Sequence, residues 1–269
     1  MKNLVIVLTL ILLGTTASNS QCFKYNTAFQ AGERLTYNVM YNWGFIWIGA
    51  GDVVFSVKET NFRGRPVYSL DAHGSSYNSY DWFFKVRDSF QAFLDKETLQ
   101  PLWHLRNTSE GNFNTYEEYH FDYSKNLIYS ATQNTKIPYK KDTLKIERCT
   151  FDLLSMAYFA RNFDFTGLSA GQRIPVTLLL DKQIYHLYVR YLDKELLKMK
   201  DGSKYNTIRF SIQLVEGTVF KAGEELIVWV TDDRNHIPVM VEAKILVGSV
   251  KALLHSSENL RNKSTAKVK

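Results

Sequence analysis

Six histidines are the residues of this chain that could bind a metal ion or transfer protons near neutral pH. They are His73, His104, His120, His186, His236 and His255. None of them forms a His-x-His or His-Glu-x-x-His pattern, the spacings typical of zinc sites. The sequence also lacks a Gly-x-Ser-x-Gly motif and a phosphate-binding loop that ends in Gly-Lys-Ser/Thr. We therefore predict no catalytic residues, no metal site and no cofactor.

Adjacent carboxylates are the remaining candidates for acid–base chemistry. They occur at Glu117-Glu118, Glu224-Glu225 and Asp232-Asp233. Glycoside hydrolases need two carboxyl groups roughly 5–10 Å apart, but neighbouring residues of a strand point to opposite faces of a sheet. The run Asp232-Asp233-Arg234-Asn235 is instead typical of a hairpin turn. We interpret all three pairs as surface or turn residues.

Aromatic side chains next to basic ones could bind an amphipathic molecule. Aromatic residues make up 14% of the chain, and a dense stretch from Tyr77 to Phe84 leads directly into Lys85 and Arg87. One interpretation is a basic patch beside an aromatic pocket, suited to an acidic amphipathic ligand. The other is a strand whose Lys85 and Arg87 face solvent or pair with Asp88. The predicted ligand contacts are Trp43, Trp47, Trp82, Phe84 and Arg87.

The first twenty residues have the pattern of a secretory signal peptide. A short basic start is followed by an apolar run from Leu4 to Leu13 and a small, polar stretch from Gly14 to Ser20. The run of roughly ten residues is too short to span a bilayer as a helix, which needs about 20. We predict a protein exported to the periplasm or cell envelope, without a transmembrane span in the mature chain.

The two cysteines, Cys22 and Cys149, have three alternative fates. Cys22 follows the predicted cleavage region, where a cysteine can carry a lipid anchor, but the preceding Gln21 is larger than the small residue that lipidation favours. A disulfide between Cys22 and Cys149 suits an exported chain. Two unpaired thiols are the third alternative.

Most of the remaining chain alternates between apolar and polar residues, the pattern of half-buried strands. The alternation is clear at 35–43, 119–123, 185–191, 208–214 and 239–245, and turn residues separate the runs. Residues 150–162 instead carry apolar residues at helical spacing, with Thr150 as the expected N-cap. The sequence predicts a mainly β protein, a curved antiparallel sheet or incomplete barrel with one buried helix at about 150–162.

No internal repeat or long linker divides the chain. We predict a signal peptide over 1–20, a single β-rich domain over 21–255 and a basic, flexible tail over 256–269. The net charge of +6 is scattered rather than gathered in a stripe, so a nucleic-acid partner is not expected.

Several segments together resemble the domain-of-unknown-function family 3108 of exported bacterial proteins. They include Gly32–Tyr37, Trp47–Gly51, Phe83–Asp88, Phe151–Ser155 with Tyr158 and Arg161, Val228–Asp233, and Leu246–Val250. The resemblance implies an exported β-rich protein and carries no reaction, cofactor or catalytic residue. A curved sheet that holds a helix is also similar to periplasmic lipoprotein-carrier folds, which is a likeness of architecture alone.

Three functions follow from these observations. The favoured one is a non-catalytic module of the cell envelope that binds a lipid-like, apolar or amphipathic small molecule. The alternative is a structural or assembly protein of the envelope that acts through a protein partner. A hydrolase of an envelope polymer is the least favoured, since no acid–base cluster is visible.

Overall fold

The computed structural model describes residues 25–43, 46–213, 225–244 and 248–268. The described chain is mostly β, with two short helices, α1 (Asp81–Phe84) and α2 (Leu153–Ala160). The strands are β1 (Arg34–Trp43), β2 (Ile46–Phe62), β3 (Arg65–Ser76), β4 (Val86–Asp95), β5 (Pro101–Glu110), β6 (Phe113–Asp122), β7 (Leu127–Asn134), β8 (Ile137–Lys145), β9 (Thr150–Phe151), β10 (Arg173–Leu180), β11 (Gln183–Lys198), β12 (Lys204–Gln213), β13 (Glu225–Thr231), β14 (Pro238–Lys244), β15 (Ser249–Glu258) and β16 (Lys267–Val268).

All the strands belong to one curved sheet that does not close. Its order is β8-β7-β6-β5-β4-β3-β2-β1-β15-β14-β13-β12-β11-β10-β9, and β16 pairs with β12. Every pair is antiparallel except β9 with β10. Strand β1 lies between β2 and β15, so the two halves of the sequence form one continuous sheet. The predicted curved antiparallel sheet is confirmed.

Strand β2 contains a bulge at Gly49-Ala50-Gly51. The register between β1 and β2 shifts between Val39 and Met40, opposite Ala50. Gly51 is required here, because a Cβ atom at this position would lie 2.1 Å from the carbonyl oxygen of Ser75. The glycines therefore mark a bend of the sheet.

Helix α2 fills one end of the concave face of the sheet. It packs against β3, β4 and β10 and buries Leu154, Tyr158 and Phe159. The main core surrounds it and includes Val57, Leu70, Leu94, Phe151 and Phe210. The predicted buried helix is confirmed, with a later start than expected. Its N-cap is Asp152, whose carboxylate accepts from the Ser155 backbone, whereas Thr150 belongs to β9.

The end of the chain differs from the expected flexible tail over 256–269. Residues up to Glu258 complete β15, and the following segment returns along the sheet to form β16. Ala266 is buried, and Asn262 donates to the backbone carbonyl of Thr27 at 2.8 Å. Charge composition alone suggested a solvated end, but the backbone hydrogen bonds of β16 and the side chain of Asn262 attach this segment to the sheet.

Candidate functional site

One row of residues crosses the concave face and changes from apolar to polar along its length. The antiparallel register places Phe55 of β2 beside Ala72, Ala72 beside Phe90, and Phe90 beside Arg106 of β5. Arg106 then lies beside Glu117 of β6. Since residues directly opposite each other in a sheet share one face, these side chains all point to the concave side.

The apolar part of this face extends beyond the buried core. Its outer members, here called the mouth residues, pack against the core but remain only half-buried. They are Phe55, Phe90, Leu187, Ile212, Leu226 and Val241. Leu226 lies opposite Ile212 and Ala243, near the ends of β12 and β13 that point away from α2. The concave face is thus filled at the α2 end and partly open among the mouth residues.

The polar part of the row adjoins the mouth at Phe90. The Arg106 guanidinium lies 6.0 Å from the centroid of the Phe90 ring and 3.3 Å from the Asp181 carboxylate. Its Nη1 is also 3.8 Å from Oε2 of Glu117, a buried carboxylate that accepts from the Tyr119 hydroxyl. Burial raises the pKa of Glu117, more than the Tyr119 hydrogen bond and the Arg106 charge lower it.

Two atoms of this polar group have no hydrogen-bond partner within the described chain. They are Nε of Arg106 and Oε2 of Glu117, and both are buried. A buried polar atom without a partner costs about 1–3 kcal/mol. The polar end of the row can therefore donate a hydrogen bond from Nε of Arg106, and accept one at Oε2 of Glu117, with a small molecule or water as the partner.

The turn between β10 and β11 joins the two ends of the curved sheet through this polar group. Besides the contact of Asp181 with Arg106, the Lys182 backbone N–H donates to the Tyr119 hydroxyl at 3.0 Å. The Lys182 ammonium lies 3.1 Å from the Asp142 carboxylate on β8. Side chains and one backbone donor thus hold together sheet ends that no strand pairing connects in the described chain.

A second buried polar pair connects α2 to β5. Nδ1 of His104 lies 3.0 Å from Oδ1 of Asp152, and both side chains are at most 2% exposed. The His104 ring also stacks on Tyr119 with a centroid distance of 5.9 Å. Because this pair is sealed inside the core, it does not present an acid–base group to a cleft.

Asp88 lies on the concave face near the start of β4, and its carboxyl group is half-buried. Its Oδ1 accepts from the backbone N–H of Ser109 at 3.2 Å. Burial, together with the charge of Glu110, raises the pKa of Asp88 to about 6. Its backbone also borders a polar cavity of about 480 Å³ that His73 and Arg87 line.

The substitution Asp88→Asn is expected to stabilise the protein by about 1–2 kcal/mol at neutral pH. The raised folded-state pKa means that the folded state binds a proton more tightly between pH ~4 and ~6, so stability falls as the pH rises through this window. The advantage of the variant should therefore disappear near pH ~4. Urea unfolding at neutral pH and near pH ~4 measures the difference in free energy of unfolding between the variant and the unmodified protein. Asp122→Asn is the control of opposite sign, since a hydrogen bond from Ser124 lowers the pKa of Asp122. An equal effect of Asp88→Asn at both pH values would contradict the assignment.

The structure places the predicted ligand contacts away from the mouth residues. Trp47 lies on the outer face, with the Lys251 ammonium 4.6 Å from its ring centroid. Trp82 is 83% exposed on α1, and Phe84 is about half exposed beside it. The Trp43 side chain lies outside the described part of the structure. Contact of these residues with a ligand stays a prediction.

Arg87 has a structural role at the start of β4. Its guanidinium lies 2.6 Å from Asp81 and also donates to the side chains of Ser76 and Asn78. These contacts hold the segment that carries α1. Sequence reasoning offered Asp88 as the partner, but the chain reversal at residues 77–85 brings Asp81 closer.

Cys149 is disulfide-bonded and is not a free thiol. Cys149 lies at the edge of a cavity of about 350 Å³, together with Pro101, Tyr123 and Phe151. Cys22 lies outside the described residues, as does the predicted signal peptide, so the pairing and the lipid anchor both stay predictions. Within the described chain, no group of three or more metal-ligating side chains is present, and no helix is long and apolar enough to cross a membrane.

Comparison with known proteins places this geometry in a family. A family model described as "Protein of unknown function (DUF3108)" matches residues 36–255. The chain belongs to this family. The match covers the sheet from β1 to β15 and all the mouth residues, so this DUF3108 chain carries the candidate site within the family's own domain.

A solved structure is similar to the DUF3108 chain in fold. It is described as "Crystal Structure of Beta-barrel-like Protein of Domain of Unknown Function DUF1849 from Brucella abortus". The similarity has a TM-score of 0.55 at 10% identity and covers 86% of this chain and 99% of that chain. At such low identity the likeness concerns the fold alone. No curated protein is significantly similar in sequence.

Proposed function

We propose that this protein is an exported, non-catalytic module of the cell envelope that binds a lipid-like, amphipathic molecule at the mouth residues. The observation that carries the proposal is the incomplete burial of apolar side chains on the concave face. Leu187, Ile212, Leu226 and Val241 continue the core but keep part of their surface uncovered. Covering such surface contributes about 25 cal/mol per Å².

The polar end of the concave row indicates what the polar head group of the ligand would contact. Arg106 contacts the ring of Phe90, and its buried Nε has no hydrogen-bond partner within the described chain. A ligand whose apolar part contacts the mouth residues can therefore present an oxygen acceptor to Arg106. A few oriented polar groups at the end of an apolar surface are typical of small-molecule sites.

The proposed ligand differs from the acidic amphiphile predicted at Arg87, because its polar head contacts Arg106 and not Arg87. Arg87 already pairs with Asp81, whereas the Arg106 guanidinium is shared between Asp181 and the buried Glu117. The two carboxylates beside Arg106 disfavour a strongly anionic head group. We propose a ligand with a neutral, hydrogen-bonding head such as an ester, amide or hydroxyl group.

Adjacent residues of β13 provide a matched test. Leu226 faces the concave side, while Ile227 faces outward between Ser211 and Glu242. The probe is N-phenyl-1-naphthylamine, a neutral apolar compound that fluoresces when it leaves water. Leu226→Trp should fill the mouth and weaken probe binding by about tenfold or more, a loss of at least about 1.4 kcal/mol.

The control, Ile227→Trp, adds the same indole on the opposite face and should bind the probe like the unmodified protein. Thermal melting of both variants separates loss of binding from loss of folding. Equal probe binding by the two variants, both folded, would overturn the proposed site.

A further inference from the structure

Exposed apolar side chains are concentrated at one end of the sheet. Seven of the twelve large hydrophobic residues that are exposed in the described chain lie there. They are Ile46, Tyr77, Trp82, Phe83, Phe84, Ile137 and Tyr139. Trp82 is 83% exposed and Phe83 is 61% exposed, which is unusual for side chains of this size.

The strand connections explain why these residues meet. In an antiparallel sheet every second connection returns at the same edge, and this edge carries Ile46, α1, the β5–β6 turn and the β7–β8 turn. The Phe84 ring packs on Gly111, where a Cβ atom would lie 2.9 Å from the ring. The Lys136 ammonium lies 6.0 Å from the Phe113 ring centroid. The apolar residues therefore form one rim, here called the aromatic rim.

Exposed lysines lie beside the aromatic rim. Lys85, Lys136 and Lys141 are exposed and form no ion pair with a described residue. Among the nearby carboxylates, Asp81 is paired with Arg87, and Asp52 accepts from the Tyr77 hydroxyl at 2.8 Å. Glu110 ends β5 and is half-buried. Aromatic side chains next to unpaired lysines suit the boundary between anionic lipid head groups and acyl chains.

We propose that the aromatic rim docks this protein on the surface of a bilayer that contains anionic phospholipid. Trp82 and Phe83 enter the head-group region, and the three lysines contact lipid phosphates. The same edge of the sheet carries the ends of β12 and β13, so docking places Ile212 and Leu226 close to the bilayer. The proposal rests on the rim alone and stands whether or not the mouth residues hold a ligand.

Vesicle sedimentation of the purified protein tests the docking. Vesicles of phosphatidylcholine with a minority of phosphatidylglycerol should bind it, and Trp82→Ser/Phe83→Ser should lower the partition coefficient by about 30-fold or more. The matched control is Tyr25→Ser/Leu196→Ser, which removes two exposed apolar side chains far from the rim. This control should bind like the unmodified protein, and both variants should keep its melting temperature.

A second variant tests the contribution of the lysine charges to vesicle binding. Lys85→Gln/Lys136→Gln should weaken binding to the anionic vesicles by several-fold and remove most of its salt dependence. Failure of the unmodified protein to bind these vesicles would overturn the proposal and would direct the search to a protein partner for the rim. Equal binding by the Trp82→Ser/Phe83→Ser variant would overturn it as well.

Discussion

Replacement of Arg161 by methionine is expected to lower the free energy of unfolding by about 3–5 kcal/mol, the largest effect of any substitution considered for this protein. Arg161 follows α2 and donates to both carboxylate oxygens of Glu33, at 2.5 and 3.0 Å. The two side chains are 4% and 0% exposed. Without the guanidinium, the Glu33 carboxylate remains buried with no opposite charge.

Further hydrogen bonds of Arg161 add to this expected loss of stability. Its Nε donates to the carbonyl of Asn235 at 3.0 Å and its Nη2 to the carbonyl of Ala28 at 3.2 Å. One side chain thus connects the segment before β1, the end of α2 and the turn before β14. Loss of the guanidinium should loosen all three at once, which urea unfolding measures as a lower midpoint.

Two comparisons show whether buried charge is the cause. The double variant Glu33→Gln/Arg161→Met should be more stable than Arg161→Met alone, because it no longer buries an unpaired carboxylate. Arg209→Met removes a partner of the more accessible pair with Asp193, whose side chains are 31% and 46% exposed, and should cost less than about 1 kcal/mol. Equal losses for Arg161→Met and Arg209→Met would contradict the structural role of the buried pair.

Replacement of Asp152 by alanine is expected to cost about 2–4 kcal/mol, the second largest effect. The carboxylate accepts from the Ser155 backbone at 2.9 Å, which caps α2, and lies 3.0 Å from His104. Alanine removes both contacts inside the core. Asp152→Asn keeps an acceptor for the cap and should lose less, so the difference between the two variants separates the cap from the charge.

Acid should weaken this contribution of Asp152. Burial alone would raise the pKa of Asp152, but the charge and hydrogen bond of His104 and the hydrogen bonds from Ser155 bring it below its usual value. A lowered folded-state pKa gives stability that is fully present above the unfolded pKa of about 4 and is lost as the pH falls through the folded pKa. The stability difference between the unmodified protein and Asp152→Asn should therefore shrink below pH ~4. A difference that stays constant into acid would contradict it.

The strands were predictable because their signal is local. Alternation at 119–123 and 208–214 reports directly which side chains face a core, and residues 119–122 lie in β6 and residues 208–213 in β12. The interpretation of Glu117-Glu118 as surface or turn residues is wrong for Glu117, which is buried on the concave face. The two side chains do point to opposite faces, as their strand position requires, and Glu118 binds Trp103 and His120 on the outer face.

The polar contacts of the site were not predictable, because they join residues far apart in sequence. Glu33 and Arg161 are 128 positions apart, and His104 meets Asp152 only once α2 enters the curved sheet. A signal for both pairs was nevertheless present. Glu33, Asp152 and Arg161 all belong to the segments that carry the family resemblance, and a charged residue within an apolar helical run such as Phe151–Arg161 indicates a buried partner.

The candidate site in the structure differs from the ligand contacts predicted from sequence for a related reason. Trp82 and Phe84 stood out by residue type, but type does not distinguish an exposed aromatic rim from an enclosed mouth. The mouth residues are ordinary apolar strand positions whose incomplete burial depends on how far α2 reaches along the concave face.

Native mass spectrometry of the protein purified from its own host is the decisive experiment on ligand binding at the mouth residues. We expect a chain that begins after residue 20 and carries an apolar, solvent-extractable adduct, present also on Ile227→Trp and absent from Leu226→Trp. Protein that is repeatedly recovered without an adduct, or an adduct that persists on Leu226→Trp, would contradict ligand binding at the mouth residues.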